Sequence, residues 1–130
     1  MTNQELIAKA KEAMTKAYAP YSHFQVGAAL LAKDGRVFTG CNVENATYGA
    51  TICAERTAVT KAVSEGVREF EKIAIVASSG DYAAPCGICR QGLFEFMPEG
   101  KVVLWSELEG EKEFALTELL PFGFRGEDIK

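Results

Sequence analysis

Three features that indicate common kinds of protein function are rare or missing in this sequence: histidine, an excess of basic residues, and long apolar segments. Histidine, the commonest metal ligand, occurs once in 130 residues, as His23. Lysine and arginine number 14 against 18 aspartates and glutamates, so the net charge of −4 supplies no basic surface for a nucleic-acid backbone. No segment approaches the roughly 18 apolar residues that a membrane-spanning helix needs. These absences argue against nucleic-acid and membrane partners and favour a small neutral substrate.

The N-terminal segment also lacks a recognisable targeting signal. Met-Thr-Asn-Gln-Glu contains no basic stretch followed by an apolar run, so we expect a cytoplasmic protein. The chain has four cysteines, and in that compartment we expect cysteine to bind a metal instead of forming disulfides. With 48% hydrophobic residues and no linker or repeat, residues 1–130 are expected to form a single domain.

Predicted helices and strands alternate along the chain. Thr2 and Glu5 can form a capping box, Asp34-Gly35 is typical of a hairpin turn, and Gly66 is a helix stop. The predicted helices cover residues 2–18, 53–65, 86–96 and 117–120, and the predicted strands cover residues 25–32, 36–42, 72–77, 101–105 and 112–115. This order predicts a three-layer α/β/α domain around a mixed five-stranded sheet.

Two short segments together supply the ligands of a metal site. Cys53-Ala54-Glu55 and Pro85-Cys86-Gly87-Ile88-Cys89 each lie at the start of a predicted helix, where the helix dipole favours thiolates. Three protein ligands leave the fourth position of a tetrahedral zinc ion for water, which is the arrangement of catalytic zinc. The spacing therefore predicts zinc bound by Cys53, Cys86 and Cys89, with Glu55 beside it as a proton carrier.

Other interpretations of the cysteines remain open. Cys86-x-x-Cys89 at a helix start is also typical of a thiol redox protein, although Cys53-Ala54-Glu55 then has no role. Cys41 could close a structural zinc site, which would make the chain a zinc-stabilised binding module without activity. We expect Cys41 to be a small buried strand residue. His23 lies far from the other ligands in sequence, and we expect it in a solvated loop.

Several further residues are candidates for adjusting the metal or holding a substrate. Three thiolates leave zinc with a net negative charge, which Arg56 could offset through charged hydrogen bonds. Asn42 and Glu44 lie two apart in an extended segment, so they share a face and could hold vicinal hydroxyls. The aromatic residues that could stack on a base are Phe24, Phe122 and Phe124.

Together these motifs resemble the homotetrameric cytidine deaminases, and the resemblance runs along essentially the whole chain. The segments that carry it are Tyr18-Ala19-Pro20-Tyr21-Ser22, Phe24-Gln25-Val26-Gly27-Ala28-Ala29, Asn42-Val43-Glu44-Asn45-Ala46, Cys53-Ala54-Glu55-Arg56-Thr57-Ala58, Pro85-Cys86-Gly87-Ile88-Cys89-Arg90-Gln91 and Leu119-Leu120-Pro121. Zinc nucleobase deaminases carry this signature with cysteine allowed in the histidine position. The resemblance implies a pyrimidine-salvage enzyme that uses one zinc ion per chain to convert cytidine and deoxycytidine to uridine, deoxyuridine and ammonia.

The resemblance also assigns roles to individual residues. It implies that the three cysteines hold zinc, that Glu55 moves protons to N3 and to the departing amino group, and that Arg56 neutralises thiolate charge. The residues implied to contact the substrate are Phe24, Asn42, Glu44, Ala54 and Phe124. Phe124 would reach the site of a neighbouring subunit, with Phe122 as a second candidate for that position.

A nucleoside-antibiotic deaminase of the blasticidin S type is the alternative within the same chemistry. Those proteins share Cys-Ala-Glu and Pro-Cys-x-x-Cys but generally lack equivalents of Glu44 and Arg56. Both residues are present here, which favours cytidine as the substrate.

Overall fold

The computed structural model describes residues 1–129 as a regular alternation of helices and strands. The elements are α1 (Asn3–Met14), β1 (Val26–Ala32), β2 (Val37–Cys41), α2 (Ala54–Ser64), β3 (Phe70–Ala77), α3 (Gly87–Phe96), β4 (Lys101–Ser106), β5 (Gly110–Ala115) and α4 (Leu116–Leu119). Two short 3-10 helices occur at Tyr48–Ala50 and Gly126–Ile129.

The five strands form one mixed sheet in the order β2-β1-β3-β4-β5. β3 and β4 are parallel, joined by a crossover through α3, whereas the other neighbouring pairs are antiparallel. This arrangement confirms the predicted mixed sheet. None of the helices in residues 1–129 has the length and apolar character needed to cross a membrane.

Helices cover both faces of the sheet and create two apolar cores. On one face Leu6, Ile7 and Ala10 of α1 pack against β1, β3 and β4. On the other face α2, α3 and α4 contribute to the larger core around Leu30, Ile73 and other buried residues. β1 is buried on both faces, which explains its nearly unbroken apolar sequence. The predicted three-layer architecture is therefore confirmed.

Gly40 of β2 allows the first turns of α2 to pack very close to the sheet. A Cβ atom added at Gly40 of β2 would lie 2.4 Å from the carbonyl oxygen of Ala54 and 2.6 Å from the backbone nitrogen of Ala58. Only a residue without a side chain allows this approach. The first turn of α2, which carries the predicted catalytic residues, rests directly on β2 as a result.

The main difference from the sequence expectation is the end of α1. The helix was predicted to reach residue 18, but it ends at Met14. The Tyr18 N–H donates to the Asn42 carbonyl at 3.0 Å, and the Glu44 N–H donates to the Tyr18 carbonyl at 2.8 Å. Because Tyr18 pairs with an extended segment, it cannot continue the helix. The capping box of Thr2 and Glu5 at the other end is confirmed.

Candidate active site

Three cysteine side chains meet where α2 and α3 begin. Cys53 is the N-cap of α2, Cys86 is the N-cap of α3, and Cys89 lies in the first turn of α3. Their Sγ atoms all lie within 4.8 Å of one another. We call these residues the three-cysteine cluster. The N-terminal ends of two helices point at it, and their dipoles favour thiolates there.

The three-cysteine cluster has the donor chemistry and spacing that zinc requires. Zinc–sulfur bonds of about 2.3 Å in a tetrahedral site place sulfur atoms about 3.8 Å apart, so separations of at most 4.8 Å need to contract by no more than about 1 Å. Cys89 is buried, Cys53 is half-buried and Cys86 is exposed. Protein therefore covers one side of the cluster and leaves another side accessible, as a catalytic site with three protein ligands requires.

The thiols of the cluster differ in their tendency to ionise. A hydrogen bond from Cys89, aided by Arg56, lowers the pKa of Cys53 to about 5 against the opposing effect of burial. The hydrogen bond to Cys53 and burial raise the pKa of Cys89. Cys53 is thus the thiol of this pair that ionises more readily, and Cys89 must give up its proton when a metal binds.

Glu55 is a buried carboxyl group in the first turn of α2, beside the cluster. Only 5% of its surface is exposed. Burial is the largest cause of its raised pKa, and the neighbouring Cys53 thiolate raises the pKa further. A carboxyl group whose pKa is brought toward neutrality can both donate and accept a proton during turnover.

Arg56 lies over the thiolates, as the sequence suggested. One terminal nitrogen of its guanidinium donates to Cys53 Sγ at 3.6 Å, and hydrogen bonds to Cys53 and Cys89 raise the pKa of Arg56. Its Nε atom is buried and has no hydrogen-bond partner within residues 1–129. The side chain of Arg56 is half-buried.

Asn42 and Glu44 both face the loop formed by residues 21–26. Asn42 accepts from the Val26 N–H and donates to the Phe24 carbonyl, each at 2.8 Å. The Glu44 carboxylate accepts from the Ser22 hydroxyl and from the backbone N–H groups of Tyr21 and Ser22. The Ser22 hydroxyl is the main cause of the lowered pKa of Glu44. Glu44 is therefore an ionised acceptor on a pre-organised loop.

A short backbone bridge connects the segment 42–44 to the cysteine cluster. Val43 and Ile52 exchange N–H···O hydrogen bonds of 2.9 and 3.0 Å, and Ile52 immediately precedes Cys53. A depression of about 330 Å³ lies beside Glu44. It is lined by Tyr21, Ser22, Glu44, Asn45, Tyr48 and Thr51. The candidate sugar-binding residues and the candidate metal ligands thus belong to one region of the fold.

The candidate aromatic residues occupy two separate places. Phe24 is 41% exposed beside Asn42, whereas Phe124 is 54% exposed in the C-terminal segment. The two cavities next to Phe124 contain none of the three cysteines. Phe122 has a φ of +56° and a fully exposed side chain. Ala54 is completely buried at the start of α2.

The structure also places the two residues that the sequence analysis set aside. His23 is exposed in a loop, where its backbone N–H donates to the Ala19 carbonyl at 3.0 Å. Cys41 ends β2 and is half-buried, and it is not part of the metal-binding group found among residues 1–129. Cys41 is therefore a strand residue, as expected, although it is less buried than expected.

Three residues with organising roles received no individual assignment from the sequence. The Ser22 hydroxyl connects Glu44 to the Phe24 N–H. Arg90 and Gln91 reach from α3 to the C-terminal segment. All three lie within the motifs that resemble known deaminases, but their partners are distant in sequence. Only the tertiary structure shows what each side chain contacts.

Comparison with known proteins agrees with this geometry. Residues 1–105 match the family model described as the cytidine and deoxycytidylate deaminase zinc-binding region. The cytidine deaminase of Sporosarcina psychrophila is 48% identical over 130 residues, which cover 99% of this chain and 96% of that protein. The chain belongs to the cytidine deaminase family. This confirms the family predicted from the sequence.

Other relatives extend the comparison to fold and cofactor. The cytidine deaminase of Halalkalibacterium halodurans is 51% identical over 130 residues, which cover 99% of this chain and 98% of that protein. The solved cytidine deaminase of Burkholderia pseudomallei superposes with a TM-score of 0.90 at 49% identity, covering 95% of this chain and all 100% of that chain. The α/β fold class is confirmed. The zinc-binding family and the three-cysteine cluster together confirm zinc as the cofactor.

Proposed function

We propose that this protein catalyses the hydrolytic deamination of cytidine and deoxycytidine, yielding uridine or deoxyuridine and ammonia in pyrimidine salvage. The observation that carries this proposal is a buried carboxyl group, Glu55, next to three clustered thiols at the start of two helices. Family membership supplies the reaction class.

Cys53, Cys86 and Cys89 hold one zinc ion per chain in this proposal. When bound there, zinc would act as a Lewis acid, which allows water to serve as a nucleophile at neutral pH. Arg56 compensates the negative charge of the thiolates, which would otherwise oppose the loss of a proton from water. The contact of Arg56 with Cys53 supports this role.

Glu55 carries both protons of the reaction. The water oxygen bonds to C4 of the base, one water proton reaches N3, and the other reaches the amino group. The C4–N bond then breaks, and the amino group leaves as ammonia. Because burial raises its pKa, Glu55 holds a transferred proton more readily than an exposed glutamate and can then deliver it.

The loop around Glu44 binds the nucleoside. Asn42 and Glu44 contact the ribose hydroxyls, Phe24 lines the base pocket, and Ala54 contacts the base. Support comes from the ionised state of Glu44 and from the depression that it lines. Asn42 also holds the backbone on both sides of Gln25, so it positions Phe24 as well as the sugar.

The active unit is a cytoplasmic homotetramer in which residues 1–130 form one catalytic domain. Phe124 stacks on the base bound by a neighbouring subunit. The support for this is the unusual exposure of large apolar side chains, since such surfaces commonly mark protein contacts. Examples are Tyr48 at 77%, Ile88 at 67%, Phe122 at 108% and Phe124 at 54%.

A substrate panel tests the proposed function. Loss of ultraviolet absorbance is followed with zinc-loaded protein and cytidine, deoxycytidine, cytosine, CMP or blasticidin S. We expect turnover of the two nucleosides and a much weaker reaction with cytosine, which lacks the ribose that Asn42 and Glu44 hold. Inactivity toward both nucleosides, or a clear preference for blasticidin S, would refute the proposal.

A further inference from the structure

Gln91 holds the backbone of Phe124 by two hydrogen bonds. Its Nε2 donates to the Phe124 carbonyl at 2.7 Å, and its Oε1 accepts from the Phe124 N–H at 3.2 Å. The two residues are 33 positions apart, so this pairing is a tertiary contact. A single amide side chain thus occupies both backbone polar groups of the exposed aromatic residue.

The neighbouring Arg90 ties the same segment to the metal-binding loop. Its Nε donates to the Pro85 carbonyl at 2.7 Å, and its NH1 donates to the Leu119 carbonyl at 2.8 Å. Pro85 directly precedes the candidate ligand Cys86. Arg90 therefore connects the start of α3 to residues 119–124, which we call the aromatic segment.

Packing completes the attachment of the aromatic segment to α3. A Cβ atom added at Gly123 would lie 3.0 Å from two ring carbons of Phe94, so the backbone packs closely against that ring. Arg125 lies with its guanidinium carbon 5.0 Å from the centre of the same ring. The backbone of Phe124 is therefore held from several directions, while its side chain remains 54% exposed. This arrangement fixes where the ring is presented without covering it.

We propose that Gln91 is a positioning residue that orients Phe124 for stacking on the substrate base. The inference rests on the proposed function, because it takes the base as the partner of the ring. Holding the backbone before substrate arrives removes the cost of ordering the segment on binding. α3 also carries Cys89. One helix therefore places a metal ligand in the site of its own subunit and, through Gln91, the residue that stacks in a neighbouring subunit's site.

Gln91→Leu tests this role because leucine has a similar size but makes no hydrogen bonds. We expect the KM for cytidine to rise about fivefold or more, as loss of an aromatic stack would produce, with kcat within about twofold and zinc content unchanged. Gln4→Leu, at an exposed position of α1, is the matched control and should leave both constants unchanged. A normal KM in Gln91→Leu would refute the proposal.

A double variant separates positioning from a general structural role. If Gln91 acts through Phe124, Gln91→Leu combined with Phe124→Ala should raise KM no further than Phe124→Ala alone. Independent, multiplying effects would contradict the proposal. If Gln91→Leu does not fold, Gln91→Glu, which keeps an acceptor for the Phe124 N–H but loses the donor, undergoes the same kinetic comparison.

Trypsin cleavage after Arg125 provides a readout that does not depend on activity. Arg125 is exposed, and loss of the Gln91 hydrogen bonds should speed cleavage at that bond by releasing the segment. Faster cleavage with an unchanged KM would refute positioning while leaving the proposed function intact. Faster cleavage in a protein without deaminase activity would instead refute the proposed function, and with it the stacking role.

Discussion

Burial of Glu55 costs the folded protein stability, which the proton transfer proposed for this residue would explain. Its side chain is almost completely buried, and burial raises its pKa because the charged form loses water. Before zinc binds, the buried carboxylate also faces the Cys53 thiolate, which adds repulsion. Glutamine has nearly the same shape and carries no charge, so it removes both penalties.

We therefore predict that Glu55→Gln stabilises the zinc-free protein at neutral pH. A raised folded-state pKa means that the protonated group favours folding at low pH. This contribution is lost as the pH rises from about 4.3 through the folded-state pKa. The difference in melting temperature between Glu55→Gln and wild type should thus grow as the pH increases over that window. Chelated samples melted at several pH values, with exposed Glu71→Gln as control, provide the measurement. A difference independent of pH would contradict the prediction.

Arg56 provides a second prediction for a single residue. Arg56→Gln removes the donor to Cys53 and leaves the thiolate charge uncompensated. We expect zinc affinity to fall about tenfold or more and the acidic limb of the pH–rate profile to move to higher pH. Arg68→Gln, an exposed change far from the cluster in sequence, is the control. Unchanged zinc affinity together with an unchanged profile would show that Arg56 does not adjust the metal.

Among the elements, the two helices that carry the three-cysteine cluster begin in an unusual way. Cys53 and Cys86 occupy N-cap positions, yet neither makes a side-chain capping hydrogen bond. Serine, threonine, aspartate or asparagine at an N-cap typically contributes about 1 kcal/mol. Neither helix has this stabilisation from an N-cap side chain. Both have a thiol at that position instead, where the helix dipole favours the ionised form.

Periodicity and stop signals predicted most of the elements because those signals are local. Thr2 caps α1, and Gly66 follows α2 with a φ of +89°. The early end of α1 was missed because it depends on the pairing of Tyr18 with the segment around Val43. That pairing joins residues far apart in the chain, and no local pattern in the sequence records it.

Gly40 allows a prediction about the contact between α2 and the sheet. Gly40→Ala should push α2 outward, because the new methyl group would overlap the backbone at Ala54 and Ala58. We expect a loss of roughly 1–3 kcal/mol in unfolding free energy and a fall in kcat, since Cys53 and Glu55 would move with the helix. Gly49→Ala is the control, because a Cβ there meets nothing within 4 Å. Denaturant unfolding and kinetics together check the prediction, and unchanged values in Gly40→Ala would contradict it.

For the whole molecule, the sequence indicated which cysteines lie together better than it indicated which distant segments contact one another. Cys53, Glu55 and Cys86 lie in short motifs whose spacing itself implies the chemistry. The contacts of Gln91 with Phe124 and of Ser22 with Glu44 bring together distant segments. They depend on the packing of α3 and of the loop 21–26, which spacing along the chain does not encode.

The proposal that each active site contains residues of two subunits leads to a prediction for the assembly. Wild-type protein should scatter light with a mass near four times 14.1 kDa. Co-expression of Glu55→Gln and Phe124→Ala subunits should create sites that combine an intact Glu55 with a neighbour's intact Phe124. Those sites should recover a KM close to wild type, whereas separately purified proteins mixed without subunit exchange should not. If co-expressed subunits keep the KM of Phe124→Ala, the aromatic residue does not act across subunits.

The central claim is that three cysteines hold a zinc ion while Glu55 moves the protons of deamination. Zinc content and ammonia release from cytidine, measured on the same preparations of wild type, Cys86→Ser and Glu55→Gln, test it most directly. Wild type should contain one zinc ion per chain and release ammonia, and Cys86→Ser should lose both properties. Glu55→Gln should keep its zinc but release ammonia at least about 100-fold more slowly. Turnover above about a tenth of wild type in Glu55→Gln, or full zinc content in Cys86→Ser, would contradict the account.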